Sequence, residues 1–467
     1  MSEGLSPALL GGLSGLLGDG GVITGDRASA YERGYRYGAG RALAVLRPAS
    51  IEATAAAVRF AARHGLRLVP QGANTGLVGA STPSPGGDQL VLSLERLRRI
   101  ETLNVADRTA TVQAGVRLSA LNGAAAASGL WLPIDLGADP TIGGMVGTNT
   151  GGTRQLRYGG MRRRVLGLEA LLADGTLVSD MRGLRKDNSG VDLKQLFVGT
   201  GGSLGIVTRA IVELAPVLRR TATALVAPTD ITAIPALLQA LEGRVGPLLT
   251  AFEGLSREAL AAALKHNPGL ASPFAPDILP PYVVLVELGA TEADRDVEEV
   301  LVGLLAELSD GPAPLVADAR VGAPERIWDL RHAISDSLRR EGHVIAFDVS
   351  VIRSRLPAFR AVVVEELARA FPMLRVCDFG HWGDGGLHLN LVWPAPQADL
   401  EDTERRVRER VYAVVEAHGG SFSAEHGLGP VNLNVYRRYT PAPNRQLSAC
   451  IKALLDPHSR LGAVDFA

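Results

Sequence analysis

Two histidines, an aspartate, an asparagine and four glycines fall within the fourteen residues Phe379–Val392, FGHWGDGGLHLNLV. The second half of this stretch alternates apolar and polar residues. Drawn as an extended strand, it sets Leu387, Leu389 and Leu391 on one face and His388 and Asn390 on the other. A polar pair therefore points one way from a strand whose other face is core. His381 precedes it across the turn Gly383-Asp384-Gly385-Gly386, which can fold back and aim His381 at the same point. Asp384 is read as a turn former rather than a ligand. Further along lies Ser423-Ala424-Glu425-His426-Gly427. A Glu and two His suit a first-row divalent metal, and His426 is left as an acid or base. Taken alone, each histidine is also compatible with a purely structural role.

Such a site needs something to accept electrons and something to hold a substrate. Three glycine-rich segments precede it, each beside β-type sequence. The first, Pro70-Gln71-Gly72-Ala73-Asn74-Thr75-Gly76-Leu77-Val78-Gly79, follows a short apolar strand read over Leu66–Pro70. A loop of this kind presents backbone N–H groups to a phosphate. The second, Asp135–Gly152, has six glycines among eighteen residues, and its small side chains permit close approach to a flat ligand. The third, Gly199-Thr200-Gly201-Gly202-Ser203-Leu204-Gly205-Ile206-Val207, leads into a strand. None is a dinucleotide fingerprint, because Leu204 stands where G-x-G-x-x-G needs glycine, and no G-x-x-x-x-G-K-[ST] occurs. A nicotinamide-type Rossmann domain and a P-loop are disfavoured.

The positioning elements follow from local signals. Ser50 is an N-cap with Glu52 in the first turn, Ile51, Ala55, Val58 and Ala62 form the apolar face, and Gly65 ends the helix. Strands are expected at Gln89–Leu94 and Thr109–Val116, a small helix at Ser119–Gly129, and a hairpin at Glu169–Ser179 turning on Asp174-Gly175. Composition shifts after Pro216. Thr221–Leu241 reads as a strand then a helix, and Tyr282–Leu288 as a strand, in a second, α+β domain. Pro324–Arg339 reads as a helix with Ile327, Leu330, Ile334 and Leu338 on its buried stripe, followed by a strand at Phe347–Val351. Arg331 and Ser335 share one face beside that stripe. Arg331 is open to two readings: a salt-bridged residue, or a clamp for a substrate carboxylate.

With 467 residues, more than one domain is expected. A net charge of -1 gives no electrostatic case for nucleic acid or an anionic membrane. Cys377 and Cys450 form no C-x-x-C, which excludes a cysteine-ligated iron–sulfur cluster and a disulfide framework and fits a reducing cytoplasm. Glu3 sits where a secretory leader wants positive charge, so none is read. No run reaches the ~18 apolar residues of a membrane span. His64, His266, His332, His343, His418 and His458 join no constellation and read as surface or structural.

These motifs resemble the flavin-dependent 2-hydroxy acid dehydrogenases, a family that includes D-2-hydroxyglutarate dehydrogenase, D-lactate dehydrogenase and the FAD subunit of glycolate oxidase. The resemblance runs from about Arg47 to the C-terminus. It rests on PQGANTGLVGAS, on LGADPTIGGMVGTNTGG followed by RYGG (Arg157–Gly160), on LRKDNSGVDLKQLFVGTGGSLGIVT, on FGHWGDGGLHLN and on SAEHGLG, in the family's order and spacing. It implies an α+β fold: a two-part FAD-binding domain of the vanillyl-alcohol-oxidase (PCMH) type over 38–217, after an N-terminal segment 1–37. A C-terminal substrate domain with an antiparallel sheet would take 218–467, its last segment returning to the flavin domain.

Carried over to these positions, the resemblance gives Gly72, Asn74, Thr75, Gly76 and Leu77 the flavin pyrophosphate. Gly143, Gly144, Thr148, Asn149 and Gly152, with Gly205 and Val207, would line FAD. His381, His388 and Glu425 would hold zinc or manganese, His426 would be the base and Arg331 the carboxylate ligand, with Ser335 and Asn390 as further substrate contacts. Relatives with covalent flavin carry His at the position of Thr75, so noncovalent FAD is expected. The implied reaction oxidises a D-2-hydroxy acid, D-2-hydroxyglutarate or a D-lactate-like acid, to the 2-oxo acid, with hydride going to flavin N5. Electrons then pass to an external acceptor such as an electron-transfer flavoprotein, a quinone or a cytochrome. A homodimer is compatible with this.

Three positions depart from the family pattern. Ala346 stands where the D-2-hydroxyglutarate enzymes carry a lysine, Ile352 where a proline follows D-V-S-V, and Asn432 where a lysine often follows E-H-G-x-G. Two alternatives stay open. One is an FAD subunit of a multi-subunit glycolate oxidase. The other is a same-fold flavin enzyme with different chemistry, such as an alcohol oxidase or an alkyl-glycerone-phosphate synthase-like enzyme.

Overall fold

Ser50 caps the helix Ile51–Arg63 by accepting from the Ala53 N–H at 3.1 Å, and Gly65, at φ +68°, turns the chain into the strand Arg67–Gln71. In the computed structural model, which describes residues 4–274, 279–395 and 399–466, this helix-to-strand step begins the first of two units. The strand lies one residue later than its apolar run suggested. Glu3, read above as the wrong charge for a leader, lies outside the described residues.

The first unit comprises Met1–Gly152, Gly159–Val217 and Glu425–Ala467. A four-stranded sheet runs in the order Val22–Ile23, Ala42–Leu46, Gln89–Ser93, Arg67–Gln71, with the last three parallel. A five-stranded antiparallel sheet runs Ile100–Asn104, Thr109–Gln113, Ile206–Glu213, Val165–Leu171, Leu177–Asp180. Its last hairpin turns at Asp174-Gly175 as expected, with Asp174 accepting from the Thr176 N–H at 2.8 Å. The small helix is Leu118–Ala126, and the strand before it stops at Gln113. The second glycine segment differs from an open loop. Thr141 caps a short helix, Ile142–Thr148, and Ile142, Met145 and Val146 are buried in the core of this unit. The C-terminal segment is fixed to the same unit by Lys452. Its buried Nζ donates to the carbonyls of Ser203 and Leu461, each at 2.7 Å, and pairs with Asp456 at 2.6 Å.

The second unit comprises Thr153–Tyr158 and Leu218–Ala424. Its antiparallel sheet runs Val316–Gly322, Arg220–Pro228, Tyr282–Ala290, Leu249–Ser256, Phe379–Gly380, Gly386–Trp393, His343–Ser350. The strand Leu249–Ser256 was not anticipated. All eight of its residues are buried, as are all nine of its neighbour Tyr282–Ala290, so neither alternates; Tyr282–Ala290 reads as a near-continuous apolar run, whereas Thr250, Glu253, Gly254 and Ser256 break up the other. The helix Pro324–Glu341 buries Ile327, Leu330, Ile334 and Leu338 against this sheet. Each such side chain contributes about 1.5–3 kcal/mol, enough to fix the rotation of the helix and so the direction of Arg331.

Two buried glutamates interrupt the apolar strands. Glu287 accepts from Thr250 Oγ1 (2.6 Å), Trp328 Nε1 (2.7 Å) and Thr223 Oγ1 (3.4 Å) and pairs with Arg154. A buried carboxylate needs this number of donors. Glu253 has a different set of partners, described next. Among the described residues no helix is long and apolar enough to cross a membrane.

Candidate active site

Antiparallel register decides which side chains share a face. Phe379 pairs with His388, Ala346 with Asn390 and Asp348 with His388, so all five point from one side of the sheet. Leu387, Leu389 and Leu391 point from the other, as their alternation predicts. The turn after His381 is tight. Asp384, Gly385 and Gly386 all donate their N–H to the His381 carbonyl, and Asp384 Oδ1 accepts from Gly386. Asp384 thus forms the turn, and the His381 and His388 rings meet at 5.1 Å between centroids.

The histidines and Arg331 belong to one closed circuit. His381 Nδ1 lies 2.7 Å from Glu253 Oε1. Glu253 Oε2 accepts from Arg331 Nε at 2.9 Å and Nη2 at 2.8 Å. The Arg331 guanidinium lies 4.6 Å over the Phe379 ring, and Phe379 meets His388 at 5.4 Å. His388 returns to His381. Glu253, Arg331 and His381 are all buried. Burial alone would raise the Glu253 carboxyl, but the facing charges of His381 and Arg331 outweigh it and lower its pKa to about 2. Of the two readings of Arg331, the salt bridge is thus present; its Nη1 has no hydrogen-bond partner among the described residues. Ser335 follows one turn later, half-buried. Asn390 Nδ2 donates to the His388 carbonyl at 3.2 Å.

Two residues of this face were missed in the sequence: Glu253 and Asp348. Asp348 is buried, and its Oδ1 lies 3.9 Å from His388 Nδ1. A charge inside an apolar strand was the available signal for both. The donor chemistry fits a divalent first-row metal: two imidazoles and a carboxylate on one face, with a further carboxylate behind His381. Ala424 donates its N–H to the Asp348 carbonyl at 3.2 Å, and the next residue is Glu425. Glu425 and His426 begin the C-terminal segment of the first unit, His426 Nε2 lying 3.9 Å from Glu425 Oε1. The loop after them is cross-tied by Asn432, which accepts from the Gly429 N–H and donates to the Gly427 carbonyl, each at 2.9 Å. A lysine could not do both.

In the first unit the 72–77 loop is half-buried. Asn74 takes a left-handed φ of 57°, and its side chain donates to Arg33 O (2.6 Å) and accepts from Ser81 (2.8 Å). From Ala73 through Leu77 no N–H donates to an acceptor among the described residues. Half-buried main-chain donors without acceptors are what a pyrophosphate requires. The glycines divide into two kinds. A Cβ at Gly72 would meet Thr141 Oγ1 at 2.2 Å, at Gly143 the Ala114 side chain at 2.6 Å, at Gly152 Asp135 O at 2.4 Å, and at Gly205 the Phe197 ring at 2.6 Å. These are glycines because protein is packed against them. At Gly76 a Cβ would meet nothing within 4 Å, and at Gly144 only Thr141 Oγ1, at 3.1 Å. These border open space. Thr148 Oγ1 hydrogen-bonds Thr150, Asn149 caps the 142–148 helix at φ 51°, and Val207 is buried in the same core. Gly199 and Gly201 donate to the carbonyls of Val146 and Gly147, so the third glycine segment closes on that helix. The loop thus fits a flavin dinucleotide.

Comparison with known proteins agrees. Residues 42–180 match the family model of the FAD binding domain, and residues 218–464 that of the FAD linked oxidases, C-terminal domain. A probable mitochondrial D-2-hydroxyglutarate dehydrogenase of Oryza sativa is 35% identical over 460 residues, covering 96% of this chain and 79% of the relative. The mitochondrial D-2-hydroxyglutarate dehydrogenase of Bos taurus is 35% identical (90% and 75% covered), and the D-2-hydroxyglutarate dehydrogenase of Xanthomonas citri is 36% identical (89% and 87% covered). Among solved structures, an alkyldihydroxyacetonephosphate synthase superposes with TM-score 0.74 at 17% identity, covering 98% of this chain and 86% of that one. A p-cresol methylhydroxylase superposes with TM-score 0.71 at 15% identity (98% and 97% covered), which establishes a shared fold. The unpartnered main-chain donors of the 72–77 loop, the histidine-rich sheet face and these matches converge: the chain belongs to the FAD-dependent 2-hydroxy acid dehydrogenases, with a PCMH-type flavin fold, and oxidises a D-2-hydroxy acid with FAD.

Proposed function

We propose that the substrate is D-2-hydroxyglutarate or a close analogue, that a divalent zinc or manganese ion assists, and that His426 is the base. The observation that carries this reading is the circuit Arg331–Glu253–His381–His388–Phe379. It gathers a guanidinium, which suits a carboxylate, and two imidazoles, which suit a metal, beside one sheet face. Bound FAD would supply a two-electron acceptor and the metal a Lewis acid that eases loss of the substrate's hydroxyl proton. His381, His388 and Glu425 hold the metal, with Asp348 beside His388. Arg331 takes the substrate carboxylate through its remaining edge, which orients the Cα–H. Ser335 and Asn390 make secondary contacts. His426 accepts the hydroxyl proton. Gly72, Asn74, Thr75, Gly76 and Leu77 hold the pyrophosphate, while Gly143, Gly144, Thr148, Asn149, Gly152, Gly205 and Val207 line FAD, held noncovalently because Thr75 offers no histidine for a covalent link.

One observation favours a second reading, a D-lactate-like monocarboxylate. Ala346 pairs directly with Asn390, so this register position offers a methyl group and no cation to a distal carboxylate. Arg408 reaches Ala346 only at its carbonyl, from the opposite face, where it lies over Phe347. Anaerobic addition of D-2-hydroxyglutarate, D-lactate and glycolate in turn to the flavoprotein separates the readings. Bleaching by D-2-hydroxyglutarate supports the first, bleaching by D-lactate alone supports the second, and bleaching by none overturns both. Reduction by substrate with no turnover on artificial acceptors would instead indicate a subunit of a larger oxidase. The proposed electron acceptor is an electron-transfer flavoprotein, quinone or cytochrome. A reducing, cytoplasmic location and a homodimer complete the proposal, with cell fractionation and light scattering as their tests.

A further inference from the structure

We propose that Glu253 is the positioning residue of this site: one carboxylate that fixes the tautomer of His381 with one oxygen and the orientation of Arg331 with the other. This rests on the metal reading above only for its consequence, not for its geometry. Glu253 sits on a strand buried along its whole length, and each oxygen has its own partner. Oε1 is an acceptor 2.7 Å from His381 Nδ1, so Nδ1 carries the proton and donates it. The other ring nitrogen, Nε2, is then the one able to bind a metal. Oε2 accepts two N–H groups of Arg331, leaving Nη1 for a ligand. Glu287, one strand away, shows what a merely structural buried glutamate looks like here: its donors are two threonines, a tryptophan and an arginine, and none belongs to the site.

The isosteric change Glu253→Gln discriminates positioning from packing. Arg331 has only donors to offer, so it claims the amide oxygen. The amide NH2 then faces His381 Nδ1 and requires it bare, which moves the ring proton to Nε2 and blocks that nitrogen. A residue that only filled space would tolerate the swap.

The test uses full-length FAD-loaded protein labelled with 15N-histidine, with His381 assigned by the resonances lost in His381→Asn. Metal-free wild type should show the Nδ1–H signature for His381 and E253Q the Nε2–H signature, with Glu253→Asp retaining the wild-type form. Zn2+ affinity, measured by competition with a chromogenic chelator, should fall about 10–100-fold in E253Q, with FAD content unchanged. An Nε2–H signature in wild type, or an unchanged signature in E253Q, overturns the proposal. So does Zn2+ affinity in E253Q equal to that of a wild type that binds Zn2+. A wild type that binds no Zn2+ overturns the metal reading instead, while the tautomers of the metal-free proteins still decide the role of Glu253.

Discussion

The 72–77 loop and the Glu253 sheet face present their polar groups by opposite means. The loop offers consecutive main-chain N–H groups, spaced by glycines and fixed by one asparagine in a left-handed conformation. The sheet face offers side chains from elements far apart in sequence: Glu253 is 128 residues from His381 and 78 from Arg331. Main-chain donors carry no titratable charge and survive every substitution except that by proline, so they are more readily obstructed than removed. Side-chain donors can be removed one at a time, and each removal strands its buried partner. The two regions should therefore fail differently.

The largest expected effect is on a side chain outside the loop. His426→Ala should slow substrate reduction of the flavin about 10²–10⁴-fold, the usual contribution of a general base. FAD content should stay stoichiometric, since the loop is untouched. Anaerobic stopped-flow absorbance reads both, and unimpaired reduction would remove His426 from the chemistry.

On the main-chain half, two glycine substitutions should separate obstruction of the protein from obstruction of the ligand. Gly143→Ala drives a methyl into Ala114 and should cost about 1–3 kcal/mol of stability. Gly76→Ala meets no protein atom and should keep the wild-type Tm of the FAD-free protein while retaining less FAD. Thermal melts beside the 450 nm to 280 nm absorbance ratio check this. Full FAD retention in Gly76→Ala would show that the open space beside it is not the cofactor's.

Acid should act on carboxylates held by side-chain donors, at the sheet face and away from it. Glu341, like Glu253, titrates near pH 2: hydrogen bonds from Lys265, Arg375 and His266 hold it down from an ordinary 4.5. A folded-state pKa below the unfolded one means that the stabilisation is complete above about pH 4.5. It is lost as pH falls from there towards 2. The Tm advantage of wild type over Glu341→Gln should thus be constant above pH 5 and shrink through pH 4 and 3. An advantage independent of pH would refute the ion-pair account.

The smallest effect is a chemical one, and it reports on each unit separately. Cys450 in the first unit is exposed, whereas Cys377 in the second is buried, and burial pushes its thiol up to about 12. Iodoacetamide should label Cys450 in the native protein and Cys377 only after denaturant is added, as peptide mass mapping would show.

The sequence by itself determined whatever is local. Ser50 as a cap, the Asp174-Gly175 hairpin, the turn at Asp384 and the two faces of Gly386–Trp393 follow from spacing, because capping, turn formation and alternation act within a few residues. The 72–77 loop was legible for the same reason: its donors are consecutive. The helix Ile142–Thr148 was hidden by its glycines, which carry little helix propensity, and is held by core contacts of Ile142, Met145 and Val146. The strand Leu249–Ser256 was hidden because burial on both faces erases alternation. Only the tertiary structure decided that Glu253 stands between His381 and Arg331, and that Asp348 stands beside His388. A buried carboxylate must find donors, but which donors it finds depends on strand order and register, and these are fixed by contacts across the whole sheet.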